Sequence, residues 1–141
     1  MSFKDEIYSY LSGHRRIIAA VGDRIYPHVA PSSAELPFIV WQRISSTGFR
    51  HMTASAGLTR ELVQFSCWAS TPESLETVSE ALREALDGMT NFWLGGEDVR
   101  SATLVNEIDS FEPATDGGEE GDYRTILDVE FTHTRSVPTF A

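Results

Sequence analysis

The stretch Glu61-Leu62-Val63-Gln64-Phe65-Ser66-Cys67-Trp68-Ala69, running on through Ser70-Thr71-Pro72-Glu73, decides the fold. Val63, Phe65 and Cys67 alternate with Leu62, Gln64, Ser66 and Trp68, the period-two pattern of a strand. Thr71 is placed to cap a following helix, Pro72 has no N–H to leave unsatisfied at its first position, and Glu73 complements the positive helix end. Leu75, Val78, Leu82, Ala85 and Leu86 then recur at three- and four-residue spacing, with Glu76, Glu80, Arg83, Glu84 and Asp87 mostly off that stripe. Gly88 is suited to end the helix in a left-handed conformation. A helix with such a stripe lies across a sheet, and its own strand is the nearest candidate.

Upstream, Phe3, Ile7, Tyr10 and Leu11 predict a short helix, and Ile17, Ile18 and Val21 a second one closed by Gly22-Asp23. Arg24-Ile25-Tyr26-Pro27 reads as an extended segment. Leu36-Pro37 opens a strand from Phe38 to Ser46 whose two faces are both partly apolar. Phe38, Val40, Gln42 and Ile44 share one side, and Ile39, Trp41 and Arg43 the other, which suggests an inner strand or one that meets another subunit. Gly48 to Gly57 reads as a long hairpin loop. Downstream, Asn91 to Gly96 reads as a turn, Val99 to Phe111 as a third strand, Glu112 to Asp122 as an acidic loop, and Tyr123 to His133 as the last strand. The expected fold is one α+β domain over residues 1–141, in the order α(α)-β-β-α-β-β. Its sheet is mostly antiparallel and four-stranded, with one long helix on a face and short N-terminal helices.

Composition narrows the function more by exclusion than by indication. The chain has 141 residues, 41% of them apolar and 11% aromatic, enough for one core without staples. Its single cysteine, Cys67, excludes an intrachain disulfide and reads as a buried structural thiol. No apolar run approaches the roughly 20 residues that span a bilayer, and the opening Met-Ser-Phe-Lys-Asp-Glu is too polar for a signal peptide, so the expectation is a cytoplasmic product without a membrane partner. A net charge of −10 opposes phosphate backbones and argues against nucleic-acid recognition.

Catalytic constellations are missing as well. Gly95-Gly96 and Gly117-Gly118 lack the spacing of a phosphate-binding fingerprint, and there is no Gly-x-Ser-x-Gly elbow. His14, His28, His51 and His133 are scattered without metal-ligand spacing. Glu119, Glu120 and Asp122 do not form an EF-hand pattern and read as solvated carboxylates. The sequence therefore predicts no enzyme, no cofactor and no metal.

Four blocks, spread over residues 5–133, resemble a known family. They are Val21-Gly22-Asp23-Arg24-Ile25-Tyr26-Pro27, Leu36-Pro37-Phe38-Ile39-Val40-Trp41-Gln42-Arg43-Ile44, Leu62-Val63-Gln64-Phe65-Ser66-Cys67-Trp68-Ala69 with the helix to Leu86, and Tyr123-Arg124-Thr125-Ile126-Leu127-Asp128-Val129-Glu130-Phe131. In order and spacing they are similar to the tail-completion proteins (tail terminators and head–tail joining proteins) of long-tailed bacteriophages and gene transfer agents. That resemblance implies a structural virion protein of the tail, assembled in the host cytoplasm. It implies a ring of copies, commonly six, at the head-proximal end of the tail tube, which stops tube polymerisation and meets the head connector or stopper protein. It transfers no catalytic residues.

Three surfaces are expected from the residues themselves. A subunit interface is expected at Ile39, Trp41, Arg43 and Trp68, on the sheet face opposite Phe65 and Cys67. The tip residues Phe49, Arg50, His51 and Met52 are expected to contact the tail tube. Asp116, Glu119, Glu120 and Asp122, with Asp128 and Glu130 as further candidates, are expected to face a channel through which DNA passes unbound, while Arg15, Arg16 and Arg24 point to protein neighbours. The alternative reading is a small cytoplasmic ferredoxin-like module that binds a small molecule or peptide over its sheet.

Overall fold

The structure is a computed structural model that describes residues 3–50, 55–87, 90–94, 97–113 and 121–134. Two short helices, α1 (Phe3–Gly13) and α2 (Arg15–Val21), lead into a three-residue strand β1 (Ile25–Pro27). A long hairpin, β2 (Phe38–Arg50) and β3 (Ser55–Ala69), is followed by helix α3 (Pro72–Leu86). The chain then forms β4 (Thr90–Leu94), β5 (Glu97–Pro113) and β6 (Gly121–Thr134). Among the described residues the sheet has six strands, in the order β1-β2-β3-β6-β5-β4, and every neighbouring pair is antiparallel except β1 with β2. The expected α+β class holds, but the sheet is mixed and larger than four strands. Residues 25–27 and 90–94, read as an extended segment and as part of a turn, each add an edge strand. The Leu36-Pro37 bond that opens β2 is cis.

The strand-to-helix unit forms as its residues dictate. Thr71 is extended at φ −135° and ψ 154°, and its hydroxyl accepts the Ser74 N–H at 3.1 Å. Leu75, Val78, Leu82 and Leu86 are buried, which contributes on the order of 6–12 kcal/mol as an upper estimate. The helix ends at Asp87, whose backbone N–H bonds to Arg83 O, while its carboxylate Oδ1 accepts the Leu104 N–H of β5 at 2.9 Å. The proposed stop at Gly88 lies outside the described residues. All three helices cover one face. Tyr10 of α1 donates to the Ala85 carbonyl at 2.9 Å, and Arg16 of α2 pairs with Glu84 of α3.

Under the helices lie Ile39, Trp41, Val63, Phe65, Cys67, Ala102, Leu127, Val129 and Phe131. Here the structure corrects the expected face of β2. Ile39 pairs with Cys67 and Trp41 with Phe65, so both point into the core, 0% and 4% exposed. The cause is a bulge: Arg43 opposes Val63 but Ser45 opposes Leu62, so Ile44 is an extra residue. Cys67 is fully buried, and that burial, followed by the nearby Glu107 charge, pushes its thiol up to about 12.

One ionisable cluster shares the covered face. Glu61 is 2% exposed, and its Oε1 accepts hydrogen bonds from Arg43 Nη1 at 3.4 Å and Ser46 Oγ at 3.2 Å, with His133 Nε2 at 3.5 Å. Burial pushes this carboxyl up. The hydrogen bond and charge of His133, then the Arg43 charge and the Ser46 hydroxyl, more than offset it and hold Glu61 below the usual range.

Two outcomes follow from these contacts. Leu82→Ala should lose about 2–5 kcal/mol and Thr71→Ala about 1 kcal/mol in urea unfolding. Because the Glu61 carboxyl is depressed in the folded chain, its stabilisation is in force above the ordinary glutamate value of about 4.3 and fades as pH falls through the folded value. Thermal melts should show wild type more stable than Glu61→Gln at neutral pH, with the gap closing in acid. A pH-independent gap would show that the charge of Glu61 is not what stabilises.

Candidate assembly surfaces

Among the described residues no helix covers the second sheet face. On β2 it presents Phe38, Val40, Gln42 and Ile44, on β3 Leu62, Gln64, Ser66 and Trp68, and on β6 Arg124, Ile126, Asp128 and Glu130, most of them half-buried. Ile108, Val105 and Ile44 are about half exposed, at 48%, 52% and 48%. A row of polar groups crosses this face over four strands. Gln42 Nε2 donates to Gln64 Oε1 at 3.5 Å, Gln64 Nε2 to Asp128 Oδ1 at 3.2 Å, and Asn106 Nδ2 to Asp128 Oδ2 at 3.4 Å. The row fixes strand register with hydrogen bonds that each contribute about 0.5–1.5 kcal/mol. It also separates the apolar residues on its two sides.

Below the row, Trp68 stacks near Phe38 with ring centroids 6.3 Å apart, and the Arg124 guanidinium lies 4.9 Å from the Trp68 ring. Arg124 Nη2 also donates to Ser66 Oγ at 2.9 Å. With His28, Val29 and Ala30 these residues line a hollow of about 300 Å³. Above the row, Arg60 pairs with Glu130 at 3.2 Å. On this face Glu130 is thus matched by a base, while Asp128 is held by the neutral amides of Gln64 and Asn106.

The four residues expected to make one interface do not form one surface. Ile39 and Trp41 sit in the core, Arg43 lies at the outer edge of β2 beside Glu61, and Trp68 lies on the open face, half-covered by Phe38 and Arg124. The expected loop from Gly48 to Gly57 is mostly strand, since β2 continues through Arg50 and β3 begins at Ser55. Phe49 and Arg50 belong to β2, while His51 and Met52 lie outside the described residues. Asp116, Glu119 and Glu120 also lie outside them; Asp122 opposes Glu112 at the start of β6. Asp128 and Glu130 are on the open face. Arg16 and Arg24 have partners within the chain, Glu84 and the Pro37 carbonyl, and Arg15 is exposed.

The strand ends matter more than any one residue. Ser55 pairs with Arg50 at one end of the sheet, and Gly121 pairs with Pro113 at the other, because β3 and β6 run antiparallel. The two longest hairpins thus turn at opposite ends. The bulge in β2 could not be foreseen from spacing, but the continued alternation of Ser55, Gly57 and Thr59 was a signal that the strand begins earlier.

Among curated proteins none matches the chain. Among solved structures, one chain from the "Virion of native gene transfer agent (GTA) particle" shares the fold, with a TM-score of 0.75 over 94% of this chain and 95% of that one, at 12% identity. The family model described as tail completion protein gp17 matches residues 5–133, and the chain belongs to that family.

Proposed function

We propose that this chain is the structural ring protein that completes a phage-type tail: copies close into a ring at the head-proximal end of the tube, end its polymerisation and join it to the head connector. Family membership supplies the tail role, and the gene transfer agent virion chain supplies a precedent for the fold within a particle. The observation that carries the joining role is the placement of the two long hairpins. A subunit whose hairpins turn at opposite ends of one sheet offers different chemistry to two neighbours at once. The end at Phe49 and Arg50, continuing to His51 and Met52, is aromatic and basic, and we assign it to the tube. The end that leads from Pro113 through Asp116, Glu119 and Glu120 to Asp122 is acidic, and we assign it to the channel, where it repels DNA phosphates. A ring of acidic subunits pays for this with mutual repulsion that salt screens.

Two measurements separate these assignments. Phe49→Ser with Arg50→Glu and Met52→Ser should leave the purified chain folded and its oligomer intact in light scattering, yet give particles without joined tails. Normal infectious particles would remove the tube assignment. Replacing Asp116, Glu119, Glu120 and Asp122 by Lys should give rings that bind duplex DNA, with affinity that falls steeply as salt rises. Rings that ignore DNA after this change would place the four positions away from the channel.

A further inference from the structure

Among the described residues two stretches of sheet edge have no neighbouring strand, and they are unlike. On one side, β1 covers only Ile39, Val40 and Trp41, so β2 from Gln42 to Arg50 has no strand on its outer edge. On the other, β4 covers β5 only as far as Ser101, so β5 from Ala102 to Pro113 is an edge, apart from the Leu104 N–H that Asp87 caps. Arg43, Ile44, Ser45, Ser46 and Thr47 are all exposed, as are Val105, Asn106, Glu107, Ile108 and Asp109, which is how a strand lies when nothing flanks it. Unpaired backbone groups at such an edge are a template for another strand.

Charge distinguishes the two edges. Every charged residue of β2 is Arg, at positions 43 and 50; every charged residue of β5 from Ala102 onward is acidic, Glu107, Asp109 and Glu112. Arg43, Glu107 and Asp109 all belong to the helix-covered side of the sheet, since they pair with Val63, Leu127 and Thr125. Between α3 and the β5 edge lies a groove of about 600 Å³ lined by Glu76, Glu80, Arg83, Glu107, Asp109 and Phe111, among other residues. Its acids outnumber its one base, so it suits an incoming guanidinium.

We infer that the free edge of β2 in one copy adds to the free edge of β5 in the next, with Arg43 entering the acidic groove beside α3. The inference rests on the ring reading above and names the contact that closes it. The two strands run antiparallel within the sheet, so a copy placed edge to edge continues the same antiparallel pattern. A contact between unlike surfaces of identical copies is the kind that closes rings. Two β5 edges repel each other, as do two β2 edges, so the charges reject the symmetric pairings. The free stretches lie toward opposite ends of the strands, which staggers successive copies; closed sheets absorb such a stagger by inclining their strands to the ring axis.

Cysteine trapping tests the contact on the full chain. Cysteines are placed at positions 45 to 47 together with 106 to 110, one pair per variant, and oxidised; the native Cys67 is buried and stays out of the reaction. At least one pair should give a covalent ladder up to the size of the ring, while either cysteine alone gives none beyond dimer. Arg43→Glu, read at a temperature where its own melt shows the fold intact despite the second carboxylate beside Glu61, should weaken association on the order of tenfold or more, and adding Asp109→Arg should recover part of that loss. A chain that assembles to ring size with no ladder from any pair, and with Arg43→Glu assembling like wild type, overturns the edge contact and leaves the ring reading standing. A wild-type chain that stays monomeric, both alone and when recovered from tail ends, overturns both.

Discussion

The register of β2 on β3 sets everything else in the molecule. Opposed residues of neighbouring strands share a face, so the single extra residue at Ile44 chooses which half of β2 is buried. With it, Ile39 and Trp41 join Cys67 and Phe65 beneath the helices. Were the outer register of Ser45 with Leu62 continued along the strand, Ile39 would oppose Trp68 and turn to the uncovered face. Trp41 is the largest side chain that β2 contributes to the core, and moving it would open a cavity that costs several kcal/mol. Another bulge, where Val105 is the extra residue of β5, stands near the matching height on the far side of the sheet. The Gln42, Gln64, Asp128 and Asn106 row lies beside both, and its hydrogen bonds hold the four strands at one alignment.

From this register follows a sheet with one finished face and two unfinished edges. The helix side is closed by α3 and by the short helices that Tyr10 and Arg16 tie to it. The other side is neither fully apolar nor fully charged, because its charged groups are held in place: Glu130 by Arg60, Asp128 by the Gln64 and Asn106 amides, and Arg124 by Ser66 and the Trp68 ring. Such a face does not demand a partner in the way a bare apolar sheet would. Free strand edges do, or they must be guarded. Here one edge carries only basic charges and the other only acidic ones.

A protein of this kind leaves little chemistry for a sequence to display. Under the proposed function, the features that matter are strand ends, edges and the sign of charge along them, none of which has a fixed residue signature. The order and spacing of four weak blocks were enough to resemble the family, and the family model covers the same 5–133 span. The buried Glu61, with His133 and Arg43, is a counterexample to easy reading. These residues sit far apart in sequence, and only strand pairing brings them to one place on the covered face.

What the sequence determined by itself was local. The strand from Glu61 to Ala69, the Thr71 cap, the Pro72 start and the buried stripe of α3 follow from period, capping and propensity, each acting within a few residues. Burial of Cys67 and of Leu127, Val129 and Phe131 follows from the same alternation. What only the tertiary structure decided was everything that depends on parity between strands. A bulge of one residue has no sequence marker at Ile44, yet it reverses the face of Ile39 and Trp41. The short strands β1 and β4 are too brief to show a period, and they exist because a neighbouring strand offers them hydrogen bonds. Edges, and with them the surfaces on which copies can meet, exist only once the sheet order is known.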